Sequence, residues 1–243
     1  MDFYLLALRF LTDLAVNAKS CLKSNTASVA VSKIISHSLF IMCYTLYHLD
    51  KRNAIHYSGG FQSMYSKNKE IQTKRLLLRN FRENDANECF ESWGQDQLLG
   101  KYIVFYPMKE IGQMEQFVKS LVTNEDAWVI MDKESESILG YVTIDIPYEQ
   151  LGVGEIGYVI GEKYQQHGYA FEAVNCVLKE YLINRNMHLI EAKVNETNTA
   201  SMKLLEKLGF QTDGRLRGRR IDLQSGNRND LIIYSITREE LLQ

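Results

Sequence analysis

The stretch from Glu155 to Arg185 constrains this chain more than any other. Glu155-Ile156-Gly157-Tyr158-Val159-Ile160 is apolar-rich and short, as a strand buried in a sheet would be. Gly161 closes it, a brief polar loop follows, and a helical pattern starts near Gly168. Phe171, Val174, Val177, Leu178, Tyr181 and Leu182 then share one face at helical spacing. A strand that turns so quickly into an amphipathic helix must lay that helix back on a sheet, which implies a layered fold. The turn itself is chemically pointed. Small residues at Gly168 and Ala170 let a ligand come close to the backbone. The first N–H groups of a helix have no internal partner, and the helix dipole favours negative charge there. A pyrophosphate is the natural guest of such a turn.

The same alternation continues on both sides. Lys74–Arg79 reads as a strand, and Glu83–Gln95 and Gly112–Thr123 read as helices. Ala127–Met131 and Ile138–Ile146 read as an antiparallel pair across the charged turn Asp132 to Ser137. After the helix Ala170–Arg185 come a strand at Leu189–Val194 and a helix at Ala200–Leu208 stopped by Gly209. Phe210 onward and Leu231–Ile236 complete the set. The expected fold class is α/β in the α+β sense: one mixed sheet flanked by helices.

The front of the chain differs. Residues 1–58 hold no glycine and no proline, and then Ser58-Gly59-Gly60 and a polar stretch intervene. Residues 1–66 carry a net charge of +3 and the remainder −5. The expected organisation is a helical N-terminal extension over 1–63 and a catalytic or ligand-binding domain over 64–243. The 243 residues are 45% hydrophobic and 24% charged with only two prolines, which excludes a disordered or collagen-like chain. A net charge of −2 advertises no basic field for nucleic acid. Cys21, Cys43, Cys89 and Cys176 lie far apart, so reduced thiols and no metal site are expected. The longest uncharged apolar stretch, Ile34 to Leu49, is short for a membrane span. The expectation is a cytoplasmic protein with no membrane partner.

The turn resembles the Gln/Arg-x-x-Gly-x-Gly/Ala pattern of the GNAT N-acetyltransferases, here Gln165, Gly168 and Ala170. Three further stretches carry the resemblance. Glu155 to Ile160 stands where that family has the preceding strand. Asn198-Thr199-Ala200-Ser201 followed by Leu205-Glu206-Lys207-Leu208-Gly209-Phe210 is similar to its second signature. Ile71 to Arg79 and Asp230 to Ser235 resemble the RimJ/RimL-type branch. The likeness covers about residues 67–238.

The resemblance implies a GNAT fold and acetyl-CoA as cosubstrate, bound between the strands at Glu155–Ile160 and Leu189–Val194. In that family these strands splay. Backbone near Tyr158, Val159 and Ile160 then meets the pantetheine amides, and Gln165, Gln166, His167, Gly168, Tyr169 and Ala170 meet the pyrophosphate. Asn198 reaches CoA from the next helix. Glu155 aligns with the family's base, and a strand-edge carboxylate is the plainer reading. Many members carry an acidic tyrosine where this chain has Leu205, so Ser201 is the available hydroxyl for the leaving thiolate, or else a helix-start cap. The implied partner is a primary amine, a small molecule or a peptide, attacked directly in a ternary complex. A homodimer is a tendency of the family.

Other features have competing readings. Leu5-Leu6-Ala7-Leu8-Arg9 and Ser58-Gly59-Gly60-Phe61 resemble, faintly, the winged-helix regulators of the Rrf2 type. They imply an alternative: an acetyl-CoA-sensing regulator that binds DNA through its N-terminal helices. The stretch His37 to Leu49 offers few base-reading side chains, which favours a packing appendage. Gly152-Val153-Gly154-Glu155-Ile156-Gly157 spells GxGxxG, but its last glycine falls inside a strand, where no dinucleotide helix can open. The run Arg215 to Arg220 holds four arginines. A solvated hairpin, an acidic acceptor and the CoA 3′-phosphate are its three readings.

Overall fold

The structure, a computed structural model, describes residues 70–103, 107–222 and 225–243. All fall within the compact unit Met64–Gln243. The expected helical extension and its winged-helix likeness lie outside the described residues.

The strands are β1 (Ile71–Gln72), β2 (Leu76–Asn80), β3 (Ala127–Asp132), β4 (Ile138–Tyr148), β5 (Val153–Ile160), β6 (Leu189–Asn195), β7 (Gln211–Ile221) and β8 (Arg228–Thr237). The helices are α1 (Ala86–Cys89), α2 (Ile111–Val122), α3 (Tyr169–Leu178), α4 (Thr199–Lys207) and α5 (Arg238–Leu241). One sheet holds the strands in the order β1-β2-β3-β4-β5-β6-β8-β7. Every neighbouring pair is antiparallel except β5 and β6. The mixed, helix-flanked sheet implied by the sequence is therefore the observed architecture.

Strand alternation divides the core into two layers. Trp128, Ile130, Val142, Ile144, Ile156, Ile160, Ile190 and Val194 face α3 and α4, which contribute Val174, Val177, Leu178 and Leu205. Val129, Tyr141 and Val159 face α1 and α2, with Cys89, Trp93, Met114 and Val118. Both tryptophans are core residues at 1% exposure. Each large apolar side chain so buried contributes about 1.5–3 kcal/mol. A buried fork, Arg79 to both oxygens of Asp85 at 2.8 and 2.7 Å, ties the front of α1 to the sheet.

Two helices differ from the sequence reading. The turn of Glu83–Asp85 and α1 run into a π-helical turn, Phe90–Gly94. The expected helix Ala170–Arg185 is α-helical only to Leu178 and widens into a π turn, Lys179–Asn184. Glu180 explains the second. The residue is 3% exposed, and Asn184 (2.7 Å) and Arg185 (3.4 Å) fold back to satisfy its carboxylate. Arg185 also reaches Asp126, which takes the Tyr181 hydroxyl at 2.6 Å. No helix among the described residues is long and apolar enough to cross a membrane.

Candidate active site

The functional feature of the sheet is a parting between β5 and β6. They pair only over Val153–Glu155 and Leu189–Glu191. Beyond that point β5 stays bonded to β4 up to Ile160, while β6 stays bonded to β8 up to Asn195. Each strand follows its own partner and a wedge opens between them. Ladder alternation decides which backbone faces the wedge. The Gly161 amide bonds to the Leu139 carbonyl, so Val159 is in turn bonded to Tyr141. The N–H and C=O groups of Tyr158 and Ile160 point the other way, toward the wedge. The peptide groups of Val159 itself belong to β4. The Ile160 carbonyl takes the Gln165 side-chain amide at 3.0 Å, so Gln165 braces the strand end.

The loop above the wedge is held open by unusual backbone. Gln166 and Gly168 both have positive φ, 63° and 79°. Gly168 caps α3, as the sequence places it. Among the described residues no acceptor takes the backbone amide hydrogens from Gln166 through Phe171. These amides therefore meet solvent or a ligand. Arg75 fixes the loop from outside: it gives Nη1 to the His167 carbonyl (2.9 Å) and Nε to Glu172 (2.7 Å). Glu172 also accepts from the Thr73 hydroxyl and the Arg75 amide. Burial works to raise the Glu172 pKa, but these bonds and the Arg75 charge outweigh it and hold the carboxyl below its usual range. The end of β5 is pressed against the π-helical turn Phe90–Gly94, since a Cβ on Gly161 would lie 2.4 Å from the Ser92 carbonyl oxygen.

The loop side chains divide in role. Tyr169 turns away from the wedge, with Arg75 over its ring at 4.5 Å and His167 stacked on it at 5.9 Å. The exposed His167 imidazole bonds the Gln165 carbonyl oxygen at 2.6 Å. Asn198 caps α4 by accepting from the Ser201 amide at 3.1 Å. Beside Gly168 a groove runs along α3, lined by Lys74, Arg75, Phe171, Lys179 and Lys207. Lys207 sits 4.6 Å over the Phe171 ring. The sequence reading missed this groove because its cations come from three separate segments.

Two polar groups flank the wedge on opposite faces. On the α3/α4 face the Tyr158 hydroxyl meets Ser201 Oγ at 2.6 Å and bridges the two walls. Burial pushes the Tyr158 pKa up to about 12, and the Ser201 bond only partly offsets it. On the other face Lys193 joins Glu155 at 2.5 Å and Glu191 at 2.9 Å. Burial works to lower the Lys193 pKa, but the two carboxylates outweigh it and hold the ammonium above its usual value. The cluster carries one net negative charge. Asp145 stands opposite Glu155 in the β4–β5 register. The wedge thus has a carboxylate on one side and a hydroxyl pair on the other. Leu205 is fully buried, so that position supplies no polar group. Among the described residues no group of three or more His, Cys, Asp or Glu could hold a metal.

The chain matches the family model described as the acetyltransferase (GNAT) domain over residues 75–211. It is similar to the Bacillus licheniformis protein named "Uncharacterized N-acetyltransferase p20", with 29% identity over 175 residues, 70% of this chain and 97% of the relative. A crystal structure of a GNAT-family acetyltransferase from Bacillus anthracis superposes with a TM-score of 0.64 at 26% identity, over 71% of this chain and all of that one. A ribosomal-protein-S5-alanine acetyltransferase from Vibrio fischeri shares the fold at 22% identity, with a TM-score of 0.61 over 71% of this chain and 98% of its own. The regulator alternative rests on residues 1–63 and draws nothing from these matches.

Proposed function

Because this chain belongs to the GNAT acetyltransferases, we propose that it moves the acetyl group of acetyl-CoA to a primary amine by direct attack in a ternary complex. The observation that carries the reading is the run of unbonded amides from Gln166 through Phe171 beside the open edge of β5. Those amides suit a pyrophosphate. The peptide groups of Tyr158 and the Ile160 amide suit the pantetheine chain. The groove of Lys74, Lys179 and Lys207 suits the 3′-phosphate end of CoA. The RimJ/RimL-type assignment rests on residues 71–79 and 230–235 and on the shared fold with the Vibrio fischeri enzyme, which favours a peptide α-amine as acceptor.

The arrangement accounts for the reaction steps. A protonated amine is drawn to the net negative charge of Glu155, Glu191 and Lys193. At neutral pH its deprotonation costs about 1 kcal/mol for an α-amine and about 4–5 kcal/mol for a lysine-type amine. Glu155, directly or through water, takes the proton. The nitrogen lone pair then adds to the thioester carbonyl, the tetrahedral intermediate collapses with loss of the CoA thiolate, and the second nitrogen proton passes to that thiolate or to water. A thiolate with a pKa of about 8.5 leaves readily. A phenol near 12 cannot readily give up its proton to such a thiolate, so the Tyr158–Ser201 pair stabilises the sulfur by hydrogen bonding.

The test is release of CoA thiol, screened across peptide α-amines, alkylamines and amino sugars. Amine-dependent thiol release supports the proposal, and none with any class contradicts it. Ser201→Ala and Tyr158→Phe should each lower kcat about tenfold, and the double variant should be little worse, because the hydroxyls act as a pair. Fully additive losses would show that they act separately.

A further inference from the structure

The last hairpin carries charges that acetyl transfer does not use. β8 pairs with β6 only as far as Leu231 opposite Asn195, whereas β7 and β8 pair on to Ile221 opposite Arg228. Beyond Leu231 the two strands therefore project as a ribbon past the body of the sheet. Its root is locked. Arg215 donates to Asp230 at 2.5 Å and to Glu196 at 2.6 Å, and Glu196 and Asp230 exchange further bonds through their backbones and the Glu196 carboxylate. Gly218, at φ +62°, gives its amide to the other Asp230 oxygen at 2.7 Å, which sets a bulge where the register slips. Glu196 lies two residues before Asn198, the cap of the helix that walls the wedge. The ribbon is thus held at the mouth of the candidate site.

Arg217, Arg219 and Arg220 stand on this ribbon. Among the described residues no hydrogen bond or ion pair holds their guanidinium groups, although Arg217 lies in the field of Asp230, and Arg217 and Arg219 are exposed. Asp230, the nearest carboxylate in sequence on β8, is occupied by Arg215 and Gly218. β7 is also the edge of the sheet, so its outer backbone can accept an added strand. In a chain of net charge −2, such a cluster is a local exception.

We propose that the ribbon is a docking rail for an acidic peptide segment attached to the acceptor amine. The inference rests on the amine-acetyltransferase reading and names its substrate class. Guanidinium forks match carboxylates in paired hydrogen bonds, and an extended peptide can add to an open strand edge. Strand spacing of about 4.8 Å puts β7 roughly 10 Å from β6, the wall of the wedge. An extended chain rises about 3.3 Å per residue, so about three residues bridge that gap. Carboxylates are then wanted from about the fourth residue onward. A nucleic acid fits less well, because the five residues from Arg217 to Ile221 give a stripe of only about 16 Å.

Fluorescence anisotropy with the full chain and saturating CoA tests this independently of turnover. Two labelled decapeptides share their first three residues, and one carries glutamates where the other carries glutamines from the fourth residue. The acidic peptide should bind about tenfold more tightly at low salt. The triple variant Arg217→Ser, Arg219→Ser, Arg220→Ser should abolish the difference, and Arg219→Gln alone should reduce it. Equal binding of the two peptides overturns the proposal, as does a preference that survives the triple variant. Tighter binding of polyuridylate than of the acidic peptide, lost in the triple variant, overturns it in favour of RNA. Acetyl-CoA titration of the wild type reports separately on the enzyme reading, and the triple variant should leave it unchanged.

Discussion

Gly168→Val is expected to raise the KM for acetyl-CoA about a hundredfold or more while the fold survives. Gly168 sits at φ +79° as the cap of α3. An L residue there costs about 1–2 kcal/mol, and a β-branched one more, so the loop would escape by rotating. Rotation scatters the amides from Gln166 through Phe171, which must converge to act on one anion. A Cβ at this position makes only ordinary contact with the Arg75 guanidinium, at 3.5 Å, so the cost is one of backbone conformation. The binding cost adds to the conformational one. Initial rates at varied acetyl-CoA, with a thermal melt as control, read the effect. An unchanged KM would mean that the loop does not hold the phosphates.

Glu155→Gln is expected to lower kcat about a hundredfold for an alkylamine acceptor and less for a peptide α-amine. The difference follows from the acceptor: an α-amine is partly deprotonated at neutral pH and needs less help. KM for acetyl-CoA should stay within about twofold, because Glu155 lies on the face of the sheet away from the hydroxyl pair. Lys193 is the reason for a large effect. Held protonated by two carboxylates, it keeps the Glu155 carboxylate in place, and the incoming ammonium competes with it for the same oxygens. A loss of tenfold or less with the alkylamine would show that water alone takes the proton.

Much of this geometry was legible in the sequence where two local signals coincided. The strand Glu155–Ile160, the glycine turn and α3 each announce themselves by periodicity, and the turn residues confirm the junction. Gly168 as the cap and Ala170 in the first turn follow directly. The edges of legibility are long-range. The Tyr158–Ser201 and Glu155–Lys193 contacts join residues 43 and 38 positions apart, and no spacing rule links them. Arg75 and Glu172, 97 positions apart, brace the loop from a segment that reads only as a strand start. Which of Tyr158, Val159 and Ile160 turns its peptide groups to the wedge depends on the β4–β5 register, and register is a property of the pair of strands. The π turn at Lys179–Asn184 was invisible because Tyr181 and Leu182 continue the apolar face of α3, while the buried carboxylate of Glu180 is what breaks the spacing. The arginine run has three readings in the sequence, a solvated hairpin, an acidic acceptor and the CoA 3′-phosphate; the structure shows a bulged β7–β8 hairpin rooted on Glu196.

Titration calorimetry of the purified chain with acetyl-CoA tests the phosphate-binding turn most directly. Saturable one-to-one binding in the micromolar range is expected, lost in Gly168→Val and weakened as salt rises. No heat of binding at high micromolar protein, or equal affinity in the variant, would contradict it.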